Sequence, residues 1–139
     1  MRIGIVDGQG GGIGSAIIRR LKEDFGERIE IWALGTNAIA TAAMMKARAN
    51  RGATGENAII QSVANVDLLF GAISIIMAHA MMGEVTPAMA AAIAASPAKK
   101  LLLPLSQENI QIVGIYKEPL PHLIDLMSKR LQKELLENV

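Results

Sequence analysis

The period of apolar and polar positions changes several times along the chain, and each change marks an expected element. Arg2 to Val6 (RIGIV) is a short β-branched run that meets glycines at once, the pattern of a buried strand. From there the apolar residues fall at Ile13, Ile17, Leu21 and Phe25, with Arg19, Arg20, Lys22 and Glu23 off the stripe, which predicts an amphipathic helix. Arg28 to Leu34 reads as a second strand. Thr36 to Ala49 predicts a helix with Thr36 or Asn37 as N-cap, and Thr54 to Val66 another. Asp67 to Gly71 reads as a third strand and Ala72 to Met82 as a helix. Thr86 caps a further helix, with Pro87 at the first position, where its missing N–H does no harm. Lys99 to Leu105 and Asn109 to Ile115 read as strands four and five. The last helix carries Leu120, Leu123, Met127, Leu131 and Leu135 on one face, with Asp125/Lys129 and Arg130/Glu134 as i,i+4 pairs on its surface.

Strand–helix alternation, with no Ser/Gly/Pro-rich linker and no repeat, predicts one α/β domain over residues 1–139. The expected architecture is a three-layer Rossmann-like sandwich around a mostly parallel five-stranded sheet. The last connection stands apart: only Ser106 to Glu108 separate strands four and five, and a parallel crossover needs roughly a dozen residues or more. The fifth strand is therefore expected to be antiparallel, at or near an edge. Two helices in each long crossover would return the turns Ala49 to Asn57 and Gly83 to Pro87 to the carboxyl ends of the strands.

Between the first strand and helix lies VDGQGGGIG, with five glycines in the seven positions 8–14. Glycine loses more conformational freedom on folding than any other residue, so a bare backbone has a use there. Gly8 can turn the chain off the strand; Gly12 and Gly14 allow close approach by a ligand and by the helix. The helix N-terminus then offers unpaired N–H groups and a partial positive charge to an anion. Ligands of such sheets sit beyond the carboxyl ends of the strands. The candidate site comprises Asp7, Gly8, Gln9, Gly10, Gly11, Gly12, Ile13 and Gly14, together with Gly35, Thr36 and Asn37 after strand two, which could hydrogen-bond a ribose or phosphate.

Gly8, Gly12, Ile13 and Gly14 give G-x-x-x-G-I-G, which resembles the cofactor loop of short-chain dehydrogenases, with Asp7 where that family has threonine. The resemblance stops at the loop. Strand two ends ALGTN, without the acid or base that reads the adenosine ribose, and Tyr116 and Lys117 are adjacent rather than spaced as Y-x-x-x-K. A second resemblance spans nearly the whole chain. VDGQGGGIG, ALGTNAIATAAMMKA, ANRGATGENAI, GEVTPAMA and SPAKKLLLPL together resemble a small family of uncharacterised bacterial proteins, classed as a domain of unknown function and found mostly in anaerobic, often spore-forming Firmicutes. That resemblance implies a cytoplasmic Rossmann-like protein and brings no activity, substrate or catalytic residue.

Composition narrows the chemistry. A net charge of +1 without a dense basic run argues against nucleic acid as a partner. The absence of cysteine excludes disulfides, thiolate zinc sites and cysteine nucleophiles, and two histidines, His79 and His122, are too few for a histidine metal cluster. The apolar tract Leu68 to Gly83 is broken by His79 and too short for a spanning helix. With no signal-peptide pattern, a cytoplasmic location with no membrane partner is expected. Aromatic residues are 3% of the chain, while alanine and methionine are plentiful. Such a core either stands alone or is completed by a second copy in a homodimer.

The remaining candidates each have a structural reading beside a chemical one. Asp7 suits a ribose hydroxyl, a magnesium ion or a water, or else caps the loop's own N–H groups, since a carboxylate repels a phosphate unless a cation intervenes. Arg51 could fork onto a phosphate or carboxylate, and Asn57 lies in the same polar stretch, where Thr54 and Glu56 suit a helix start. Ser74 either donates to a ligand or caps its helix. His79 suits acid–base chemistry or a buried, backbone-bonded role; His122 is expected on the surface at a helix start. No metal site and no catalytic set emerge, and Glu84 has no role legible from its neighbours. The expected function is binding of a nucleotide, an NAD(P)-like dinucleotide or another phosphorylated small molecule. Two alternatives stay open: a nicotinamide-dependent oxidoreductase, and a structural or interaction module with an empty loop.

Overall fold

The computed structural model describes residues 1–105 and 109–137. Its elements in chain order are β1 (Arg2–Asp7), α1 (Gly12–Phe25), β2 (Glu30–Gly35), α2 (Ala38–Lys46), β3 (Arg51–Thr54), α3 (Glu56–Ser62), β4 (Leu68–Ala72), α4 (Pro87–Ala95), β5 (Lys99–Leu103) and α5 (Leu120–Glu137). The sheet runs β3-β2-β1-β4-β5, and every neighbouring pair is parallel. The chain is thus an α/β Rossmann-like sandwich. Strand order reverses between β1 and β4, the place where sheets of this kind open a crevice at their carboxyl ends.

Side chains alternate across the sheet with the strand period of two. Ile3, Ile5, Ile31, Ala33, Leu68 and Phe70 face one layer, with Ile17, Ile18 and Leu21 of α1, Met44 of α2, and Leu123, Met127 and Leu131 of α5. Val6, Leu34 and Leu69 face the other, with Ile59 of α3 and Met89, Ala90 and Ile93 of α4. The helix caps form as their sequences require: Asn37 Oδ1 accepts the Ala40 N–H at 2.9 Å and Thr86 Oγ1 accepts the Met89 N–H at 3.1 Å, with Pro87 opening α4. His122 is exposed near the start of α5 and pairs with Glu118 at 2.6 Å.

Three expectations are corrected. The last strand, β5, is parallel, and Asn109 to Ile115 is irregular; Gly114 there has φ 89°, outside the extended region of a regular strand. The connection Ser106 to Glu108 lies outside the described residues. The fifth strand is β3, within the Ala49 to Asn57 stretch read as a turn. Arg-Gly-Ala-Thr carries no apolar run, and it becomes a strand because β2 offers it an unpaired edge. Third, Ala72 to Met82 is not an α-helix. A short 3-10 turn covers Ile73–Ile76, and beyond it His79, Met81 and Met82 have φ of 69°, 57° and 56°, which an α-helix excludes.

Each crossover between β2 and β5 therefore holds one α-helix rather than two. The turn at Gly83–Pro87 nevertheless reaches the carboxyl end of the sheet, where Glu84 accepts the Gln9 N–H. The stretch from Ala49 to Asn57 divides: Asn50 meets Ile31 near the amino end of β2, while the Gly55 N–H donates to the Gly35 carbonyl at its carboxyl end.

A glycine loop closed by two carboxylates

Asp7, the last residue of β1, is buried, and its carboxylate turns back into the loop that follows. Oδ1 accepts the Gly8 N–H at 2.8 Å and Oδ2 the Gly14 N–H at 2.7 Å. The Gly14 group is one of the orphan donors in the first turn of α1. Asp7 is thus the loop's internal cap. Burial pushes its carboxyl above the ordinary value against these hydrogen bonds, and the nearby Glu84 charge adds to the rise.

The five loop glycines divide into two sets. A Cβ on Gly8 would lie 2.5 Å from Thr36 Oγ1 and 2.7 Å from Met81 Sδ. At Gly14 it would lie 2.6 Å from Met44 Sδ and 3.0 Å from Asp7 Cβ. Gly11 combines φ 74° with backbone of Ala40 only 2.8 Å from a built Cβ. These three are glycines because the protein packs against them. Gly10 and Gly12 are exposed, lie outside the left-handed region, and would place a Cβ in open space. Neither packing nor backbone conformation asks for glycine at these two positions.

Glu84 closes the other side of the loop. Its Oε1 accepts three hydrogen bonds: the Gln9 N–H at 2.8 Å, the Thr36 hydroxyl at 2.7 Å and Asn37 Nδ2 at 2.8 Å. Burial pulls its carboxyl upward, but the three donors outweigh that and hold it below the ordinary glutamate value. Asn37 Nδ2 also donates to the Gln9 carbonyl at 3.1 Å, tying the loop to the start of α2. The segment that carries Glu84 leaves β4 and spans the end of β1 to reach β2. It does so through Met81, Met82 and Gly83 with φ of 57°, 56° and 90°. Left-handed backbone at a residue with a Cβ costs on the order of 1 kcal/mol each.

The structure thus brings Asp7 to Gly14 together with Gly35, Thr36 and Asn37 at one edge. Gly35 is packed, since a Cβ there would lie 2.1 Å from Thr41 Oγ1. Ile13 is half-buried in the first turn of α1. Arg51 is not brought in: it starts β3 opposite Trp32, three positions before the end of the strand, and its side chain pairs with Glu30 at 3.0 Å. Asn57 is exposed in the first turn of α3. Thr54 ends β3 and donates to Thr41 Oγ1 at 2.8 Å instead of capping a helix. Ser74 is buried in the turn after β4. His79 is exposed on the left-handed turn, its backbone N–H donating to the Val85 carbonyl at 2.6 Å, which corrects the expectation of a buried side chain there. Two residues escaped the sequence reading. Glu84 meets partners 47, 48 and 75 positions away, which no local pattern announces. Ser15, in the first turn of α1, holds the one buried side-chain oxygen without a partner among the described residues.

The sequence model of one family matches residues 2–136, from β1 into the last turn of α5. The chain belongs to the family described as Domain of unknown function (DUF3842). The glycine loop, the Asn37 cap and the Glu84 turn all lie within the matched region of this family. Neither a curated protein nor a solved structure matches the chain significantly. Among the described residues no group of three or more potential metal ligands converges, and no helix is long and apolar enough to cross a membrane.

Proposed function

We propose that this protein binds a nucleotide or another phosphorylated small molecule at the carboxyl ends of β1 and β2, with a phosphate lying over Gly10 and Gly12. The observation that carries this reading is the pair of glycines themselves. Both are exposed, and both would accept a side chain without contact or backbone strain. Glycine gives up more backbone freedom on folding than any other residue, so a cost is borne with no internal return. Close approach by an outside group supplies the missing reason. Asp7 already holds the inner N–H groups of Gly8 and Gly14, so a phosphate is left the outer rim of the loop and the positive end of the α1 dipole. Thr36 and Asn37 stand beside that rim, where a ribose or a second phosphate would lie.

The test is a thermal-shift panel of NAD(H), NADP(H), purine nucleotides, cyclic dinucleotides and sugar phosphates, each with and without magnesium. A ligand of the native state raises the melting temperature by mass action. The expected result is a dose-dependent rise for one class that disappears in Gly12→Leu while that variant melts as the parent does. Undiminished binding in Gly12→Leu overturns the reading, as does silence across the panel of both the folded parent and its Glu84→Ala variant.

A further inference from the structure

The three donors that hold Glu84 have the form of an anion site that is already filled. A backbone N–H, a hydroxyl and an amide converge on one carboxylate oxygen, all within 2.7–2.8 Å. They belong to the loop and to the end of β2, and the carboxylate comes from a separate segment. We propose that Gln9 N–H, Thr36 Oγ1 and Asn37 Nδ2 form a second anion subsite next to the Gly10–Gly12 rim, and that Glu84 occupies it in place of a ligand phosphate. The inference rests on the phosphate reading above and adds two things to it. The ligand carries two neighbouring anionic groups, as a nucleoside diphosphate does, because Gln9 and Gly10 are consecutive in the loop. Binding is also gated, because Glu84 must leave before the second group can enter.

The Glu84 side chain stands where it can swing out to solvent. Glu84 is half-buried rather than enclosed, and the residues just before it, Met81 to Gly83, are held in left-handed conformations, with Met82 96% exposed. The turn itself stays anchored by buried Ala80 and Val85 and by the backbone bonds from the His79 N–H to the Val85 carbonyl and from the Val85 N–H to the Ala80 carbonyl, so it is the Glu84 side chain that leaves; two residues on, the Thr86 hydroxyl donates to Glu56 Oε2. The two carboxylates can therefore be removed separately: one fills the subsite, and the other only tethers the turn.

The experiment titrates ADP and inorganic pyrophosphate into the full chain, its Glu84→Ala and Glu84→Gln variants, and Glu56→Ala. A site open a tenth of the time binds about tenfold more weakly than one always open. Glu84→Ala is thus expected to tighten ADP and pyrophosphate by about tenfold. Glu84→Gln should tighten them less, since its amide oxygen still accepts without charge, and Glu56→Ala should leave them unchanged. Unchanged or weaker binding in both Glu84 variants, with the parent still binding, overturns the subsite and leaves the rim reading standing. Equal tightening in Glu56→Ala makes the gain a matter of loosening and also overturns it. No binding by parent or variants removes both readings together.

Discussion

The carboxylate of Asp7 and the backbone N–H of Gly14 meet at 2.7 Å across seven residues of chain, joining the end of the first strand to the first turn of the first helix. The bond fills from within the place that a ligand anion takes in many sheets of this order. Removing it in Asp7→Ala leaves two buried N–H groups without their acceptor, at a cost of about 1–3 kcal/mol. Urea unfolding of the variant against the parent measures this.

The same residue gives a pH signature. Asp7 has its folded carboxyl raised, so the folded state holds the proton more tightly than the unfolded chain does. Its contribution is therefore fully present below the ordinary aspartate value and falls as pH rises through the raised one. Asp24 and Asp125 act in the opposite sense. A hydrogen bond from Ser128, followed by Arg20, lowers Asp24, and bonds from Arg20 and Lys129 lower Asp125. Their contribution is present at neutral pH and is lost as pH falls below the ordinary carboxylate range. In Asp7→Asn the decline above the ordinary aspartate value should vanish while the acid limb stays, as read from melting temperature against pH.

Two kinds of glycine in one loop should respond differently to the same methyl group. Gly14→Ala pushes a Cβ against Met44 and Asp7 and is expected to cost about 1–3 kcal/mol. Gly10→Ala and Gly12→Ala meet nothing and should fall within about 0.5 kcal/mol of the parent. Denaturant midpoints for the three variants decide it.

Lys22 is buried in α1, and its ammonium donates to Asn50 Oδ1 at 2.6 Å and to the Ile29 carbonyl at 3.4 Å. Asn50 Oδ1 also accepts the Ile31 N–H, which fixes the turn into β3. Asn50→Ala strips a buried cation of its nearest acceptor, and hydrogen bonds to charged groups are worth about 1.5–3 kcal/mol. Lys22→Met removes the charge itself. The double variant should therefore be more stable than the sum of the singles implies, a coupling that a double-mutant cycle reads directly.

Arg51 is 71% exposed in its side chain and paired with Glu30 near the amino end of the sheet. Arg51→Ala should change stability by less than about 1 kcal/mol and leave ligand affinity untouched. Calorimetric titration of whichever ligand raises the melting temperature checks the second half.

The sequence by itself determined the elements whose cause is local. β1, α1, β2 and β4 follow from apolar period, the Asn37 and Thr86 caps from side chains that meet their own helix, and α5 from a repeating leucine face. A glycine-dense loop between strand and helix was equally legible, because chain order alone puts it at the carboxyl end of β1. Tertiary structure decided the rest. Arg51–Thr54 is a strand only because the edge of β2 pairs with it, whereas Asn109 to Ile115, rich in β-branched residues, forms none and holds Gly114 in a left-handed turn. The segment after β4 is apolar enough for a helix, yet it must cross from β4 over β1 to β2, and left-handed backbone carries it there. That path delivers Glu84 to Gln9, Thr36 and Asn37. Hydrogen bonds between residues 47 to 75 positions apart depend on where the sheet places its strands, and spacing along the chain does not encode them.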